Sequence, residues 1–136
     1  MALIFNYFCY LKNLSYICSM ENQIIFQKLK KKEENPLGLA YRYYSVLSAV
    51  NGIKLTEREI QLVAFTAIKG NISYSTNKEE FCKLYNSSSP TINNMVSKLK
   101  KIGVLVKDGT KVKVNPKILL DFSNNIVLQV NLTVNG

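Results

Sequence analysis

With 136 residues, 47% apolar and 20% charged, the chain has the length for one core with extra terminal elements, and the composition of an ordinary globular protein. Eighteen Lys and Arg against nine Asp and Glu leave a net charge of +9, and sixteen of the eighteen are lysine, with only Arg42 and Arg58 as arginine. There is no histidine, Cys9, Cys18 and Cys82 are far apart with no CxxC, and no Gly-rich phosphate loop is present, so an enzyme, a metal site, a cofactor and a disulfide framework are not expected.

Residues 1–19 (MALIFNYFCYLKNLSYICS) are apolar and aromatic. Asn6 and Lys12 interrupt them and no basic region precedes them, which fits neither a signal peptide nor a bilayer span. From Met20 the chain reads as an ordinary soluble protein, so Met20 is an alternative start and residues 1–19 an alternative extension. The run Lys28–Glu34 (KLKKKEE) reads as a solvated connector, and the expected organisation is an extension over 1–35, a folded domain over 36–122 and a terminal strand over 123–136.

From Leu37 to Val50, Leu39, Tyr43, Val46, Leu47 and Val50 predict a helix stopped by Asn51-Gly52, with the tyrosines of this stretch in the core. The next helix has a Thr-x-x-Glu capping box at Thr56 and Glu59, a staple of Leu55 and Ile60, and a stop at Gly70. Its expected buried stripe is Ile60, Val63, Ala64, Ala67 and Ile68. Asn71–Ser75 alternates Ile72 and Tyr74 and predicts a short strand paired with a later hairpin.

A third helix is expected from an N-cap at Asn77 to Tyr85, with Phe81, Leu84 and Tyr85 facing inward. Small polar residues Asn86–Ser89 make the turn, with Ser89 as N-cap and Pro90 at the first position of a fourth helix. Ile92, Met95, Val96, Leu99 and Ile102 form its expected buried stripe, and Gly103 ends it. Thr91, Asn93, Asn94, Ser97, Lys98 and Lys101 then point outward. Val104–Val106 and Lys111–Val114 flank Asp108-Gly109 as a hairpin carrying Lys107, Lys111 and Lys113.

Residues 90–117 hold seven lysines against Asp108 alone, the footprint expected for a polyanionic partner. Thr91, Asn93 and Asn94, nearest the start of the fourth helix, suit base edges in a major groove. Ser89, Ser97, Lys98, Lys101, Lys107, Lys111 and Lys113 suit phosphate. With lysine and asparagine in place of arginine, the expected readout leans to A·T pairs.

Residues from about 55 to 116 resemble a winged helix-turn-helix domain, in the order helix, strand, helix, helix, hairpin. The phrase SPTINNMVSKLKKIGVLVKDGTKVKVNP is similar to the recognition helix and wing of phage and plasmid regulators, and the ending VKVNP resembles plasmid replication initiators. The resemblance implies an α+β fold: a three-helix core and a β-hairpin wing, preceded by an extra helix and followed by a C-terminal strand. It implies operator or origin binding on double-stranded DNA as a homodimer, in the cytoplasm of a bacterial host or at its nucleoid, with a virion as the alternative location. The alternative class is an interaction module that uses the same fold for docking or assembly.

Beyond the hairpin, Lys117–Phe122 predicts a short helix. Ile126, Leu128, Val130, Leu132 and Val134 then alternate with Val127, Gln129, Asn131 and Thr133 as a strand. Such a strand needs a partner, either the N-terminal segment of the same chain or a second copy.

Overall fold

A computed structural model describes residues 23–27, 35–124, 126 and 128–132. The expectations for residues 1–19, for a start at Met20 and for the Lys28–Glu34 connector lie outside the described residues. The described elements are β1 (Gln23–Gln27), α1 (Pro36–Val50), α2 (Glu57–Lys69), α3 (Ser75–Tyr85), α4 (Ser89–Lys101), β2 (Leu105–Asp108), β3 (Lys111–Val114) and β4 (Leu128–Leu132). The described residues are thus α+β, with four helices and an antiparallel hairpin. No helix among the described residues is long and apolar enough to cross a membrane.

The strands β1 and β4 belong to one compact unit, and residues 35–124 to a second. In the first, β1 and β4 are antiparallel, with Gln23 opposite Leu132 and Gln27 opposite Leu128. The partner of the C-terminal strand is therefore the N-terminal segment of the same chain, one of the two arrangements its alternation allows.

In the second unit, Asn35 caps α1 by accepting from the Leu37 N–H at 3.0 Å, and Pro36 occupies the first turn, where a missing N–H has no cost. The buried line along α1 is Ala40, Tyr44 and Ser48. It is rotated by about one residue from the expected stripe, and Val50 is exposed. Ser48 Oγ satisfies itself on the Ile53 carbonyl at 2.6 Å, so its burial strands no donor.

The start of α2 is the expected capping box. Thr56 Oγ1 accepts from the Glu59 N–H, and Glu59 Oε2 accepts from the Thr56 N–H at 2.9 Å. Its interior differs from a one-stripe helix: Leu62, Val63, Ala64, Phe65 and Thr66 are all buried, because α1 packs on one side while α3, α4 and the hairpin pack on others. Ile68, in the last turn, is exposed. Thr66 returns its hydroxyl to the Leu62 carbonyl, as a threonine can inside a buried helix.

No strand forms at Asn71–Ser75. The chain is irregular to Tyr74, and α3 starts at Ser75 with no side-chain cap. The expected pairing survives as one backbone bond, the Ile72 N–H to the Val112 carbonyl at 2.9 Å. Asn71 does the rest. Its buried Oδ1 accepts from the Val112 N–H, the Ser73 N–H and the Ser73 hydroxyl, all within 2.9 Å. An asparagine side chain thus stands where a strand backbone would have joined the hairpin. Asn77 is inside α3 rather than capping it, and its Nδ2 donates to the Asn71 carbonyl.

Phe81 from α3 meets Phe65 edge-on with centroids 5.4 Å apart, and both rings are fully buried. Burying each contributes about 1.5–3 kcal/mol. Leu84, expected inside, is exposed; Tyr85 fills that side instead, against Phe81 at 4.7 Å and beneath the Arg58 guanidinium at 5.6 Å. Lys69 and Glu80 join α2 to α3 at 2.7 Å across the surface.

After the hairpin, residues 115–124 form turns and no helix. Phe122 is nevertheless buried, its ring 5.6 Å from Tyr43 and 5.8 Å from Tyr44. Tyr44 donates its hydroxyl to the Ile118 carbonyl, and burial pushes its phenol well above the usual range, with Tyr43 adding to the effect.

Candidate nucleic-acid interface

The α3–α4 turn is three residues long and its geometry follows from their chemistry. Asn86 takes the left-handed conformation (φ +49°, ψ +52°), which asparagine tolerates better than most residues, and its N–H returns to the Cys82 carbonyl. Cys82 itself is a free, half-buried thiol. Ser88, rather than Ser89, is the N-cap of α4: its Oγ accepts from the Thr91 N–H at 3.4 Å and shares a 2.8 Å hydrogen bond with the Thr91 hydroxyl. Ser89 and Pro90 are therefore the first two helical residues. With three consecutive serines, the spacing alone does not tell which one caps.

Along α4, Ile92, Met95, Val96 and Leu99 are buried, while Ile102 is exposed just past the end of the helix. The remaining face carries Thr91, Asn93, Asn94, Ser97, Lys98 and Lys101, all exposed. The helix ends where Gly103 adopts φ +80° and the Val104 N–H reaches back to the Leu99 carbonyl. Asn115 then ties the hairpin to this end, its Nδ2 donating to the Gly103 carbonyl and its N–H to the Val104 carbonyl, both at 2.9 Å.

In the hairpin, Leu105 pairs with Val114 and Asp108 with Lys111, so the loop proper is Gly109-Thr110 rather than Asp108-Gly109. Leu105, Val112 and Val114 face the core. Lys107 and Lys111 stand exposed at the tip, while Lys113 is half-buried and bonded to Asp108. Asp108 is held below the usual carboxylate range by the Lys113 hydrogen bond, then by the Lys113 charge, with Lys111 adding.

Besides Lys113, three of the expected contact residues are engaged within the protein. Lys98 Nζ lies 2.8 and 2.9 Å from the two oxygens of Glu59, a residue only 6% exposed. Burial by itself raises the Glu59 carboxyl, but the Lys98 hydrogen bond, the Thr56 N–H and the Lys98 charge outweigh it and the net shift is downward. Glu59 thus works twice, capping α2 and clasping α4. Asn93 Oδ1 accepts from Lys78 Nζ, on α3, at 3.0 Å. Thr91 is shared with the cap.

Asn94, Ser97, Lys101, Lys107 and Lys111 make no side-chain hydrogen bond or ion pair with a described residue. They, with the exposed parts of the engaged residues, are the groups available to a partner. No local signal marks Lys78 or the Glu59 clasp, since each partner is on a different helix, 15 and 39 residues away.

Behind the end of α4 is a half-open apolar cleft of about 170 Å³, lined among others by Tyr44, Leu47, Ile53, Val63, Ile102 and Ile118. Among the described residues no group of His, Cys, Asp or Glu is placed to hold a metal ion. Comparison with protein-family models, with curated proteins and with solved structures finds no match to this chain.

Proposed function

We propose that the unit from Asn35 to Asn124 is a winged helix-turn-helix domain that binds double-stranded DNA with sequence preference. In this reading α4 is the recognition helix and β2–β3 the wing. The biological setting is transcriptional control or replication in a phage or mobile element. The observation that carries the reading is the order α3, three-residue turn, α4, lysine-bearing hairpin, with an exposed Asn, Ser and Lys face on α4. Lys101, Lys107 and Lys111 supply phosphate affinity; Asn93 and Asn94, near the helix start, approach base edges.

A gel-shift titration of random duplex DNA across a salt series tests this. Contact by three to five lysines gives a slope of log K against log salt of roughly −3 to −4.5. No shift even at low salt rejects the DNA reading in favour of an interaction module built on the same elements.

A further inference from the structure

The bond between Lys78 and Asn93 bears on what α4 can read. An ammonium only donates, so the Asn93 atom 3.0 Å from it is the carbonyl Oδ1, and this fixes the amide orientation. The Nδ2 group, with two N–H donors, is turned away from the lysine. Lys78 spends one N–H on Asn93 and keeps two. The pair offers donors side by side and one oxygen already facing a positive charge.

Base edges in the major groove discriminate between such arrangements. Adenine presents the N7 acceptor beside the N6 amino donor, so a bidentate asparagine needs its Oδ1 free for that amino group. Here the amino hydrogens would be brought against the Lys78 ammonium. Guanine presents two acceptors, N7 and O6, and matches a donor pair. We infer that Lys78 and Asn93 together read guanine, one N–H from Nζ and one from Nδ2 taking the two acceptors that a single arginine fork would otherwise take. The inference rests on the DNA-binding reading and deepens it. It makes Lys78, on α3, a specificity-determining residue, and it reverses at this position the A·T preference expected from composition. Asn94 has no such neighbour and keeps both donor and acceptor.

Selection of bound sequences from a random duplex pool tests the pair, using the full chain and the variants Lys78→Met, Lys78→Arg and Asn93→Ala. The wild type selects guanine at one position per bound copy. Lys78→Met and Asn93→Ala each relax that position by about tenfold, the double variant relaxes it no further than either, and Lys78→Arg retains it. Replacing that guanine by 7-deazaguanine, which lacks the N7 acceptor, weakens the wild type and leaves the double variant unaffected. Adenine at the Asn93-dependent position overturns the inference while leaving DNA binding in place. So does a Lys78→Met protein that binds every sequence equally more weakly, which marks a phosphate contact. Absence of binding to any duplex removes the DNA reading itself, and the inference with it.

Discussion

Removing either partner of the Glu59–Lys98 clasp is expected to have unequal effects, because the two side chains differ in burial. Glu59 is 6% exposed, whereas the Lys98 side chain is 47% exposed. In Lys98→Met the carboxylate stays buried with only Thr56 to solvate it, a loss of about 1–3 kcal/mol at neutral pH. In Glu59→Gln the amide oxygen still accepts from Thr56, and Lys98 moves into water. Only a screened, half-exposed ion pair is lost, worth about 0–1 kcal/mol. The pH dependence separates the two further. In the wild type the Glu59 carboxyl is held below its unfolded value, so its contribution is present above about pH 4.3 and is lost as pH falls through the lower folded value. Without Lys98 two of the lowering influences are gone and the folded value lies higher than in the wild type, so the Lys98→Met deficit shrinks as pH falls. Urea unfolding followed by circular dichroism at pH 7 and pH 4 measures both effects. A Glu59→Gln loss at pH 7 equal to or larger than that of Lys98→Met refutes the argument, as does a Lys98→Met deficit that fails to shrink at pH 4.

Asn71→Ala strands the buried Val112 N–H and is expected to cost about 1–3 kcal/mol, with faster hydrogen exchange at the Val112 amide as the readout. Asn86→Ala, at φ +49°, is expected to cost about 1 kcal/mol while Asn86→Gly stays within a few tenths of wild type, checked by thermal unfolding. Lys107→Ala and Lys111→Ala should each weaken binding to all duplexes alike and reduce the salt slope by about 0.9, read from gel shifts at several salt concentrations.

Features whose partners lie within a few residues were legible in the sequence. The Thr56–Glu59 box and the stops at Asn51-Gly52, Gly70 and Gly103 need only local geometry, and all occur in the structure. Where several neighbouring residues satisfy the same local rule, the boundary slipped: Ser88 caps α4 instead of Ser89, and α3 begins at Ser75 rather than after Asn77. Faces were harder. The larger apolar residues Leu39, Tyr43, Val46 and Leu47 mark one stripe of α1, yet the buried line is Ala40, Tyr44 and Ser48, which periodicity in side-chain size does not reveal. Ile68, Leu84 and Ile102 obey the period yet sit at helix ends, where they stay exposed. At the candidate interface, the outward face of α4 followed from periodicity, but the engagement of Lys98 and Asn93 depends on side chains from other helices. The alternation of Ile72 and Tyr74 misled because a single bond to Val112, completed by Asn71, replaces the strand it suggested.

The turns after the hairpin decide where the chain can be cut. A fragment ending at Val114 would keep every helix and the hairpin of this unit. It would also uncover one side of Tyr43 and Tyr44, remove the Ile118 carbonyl from the Tyr44 hydroxyl and take away Asn115, which fastens the hairpin to α4. Loss of the Phe122 ring alone corresponds to about 3–5 kcal/mol, a large fraction of the stability of a domain this size. The smallest piece to express for binding work therefore extends past Phe122, ten residues that a boundary drawn from helices and strands alone would discard.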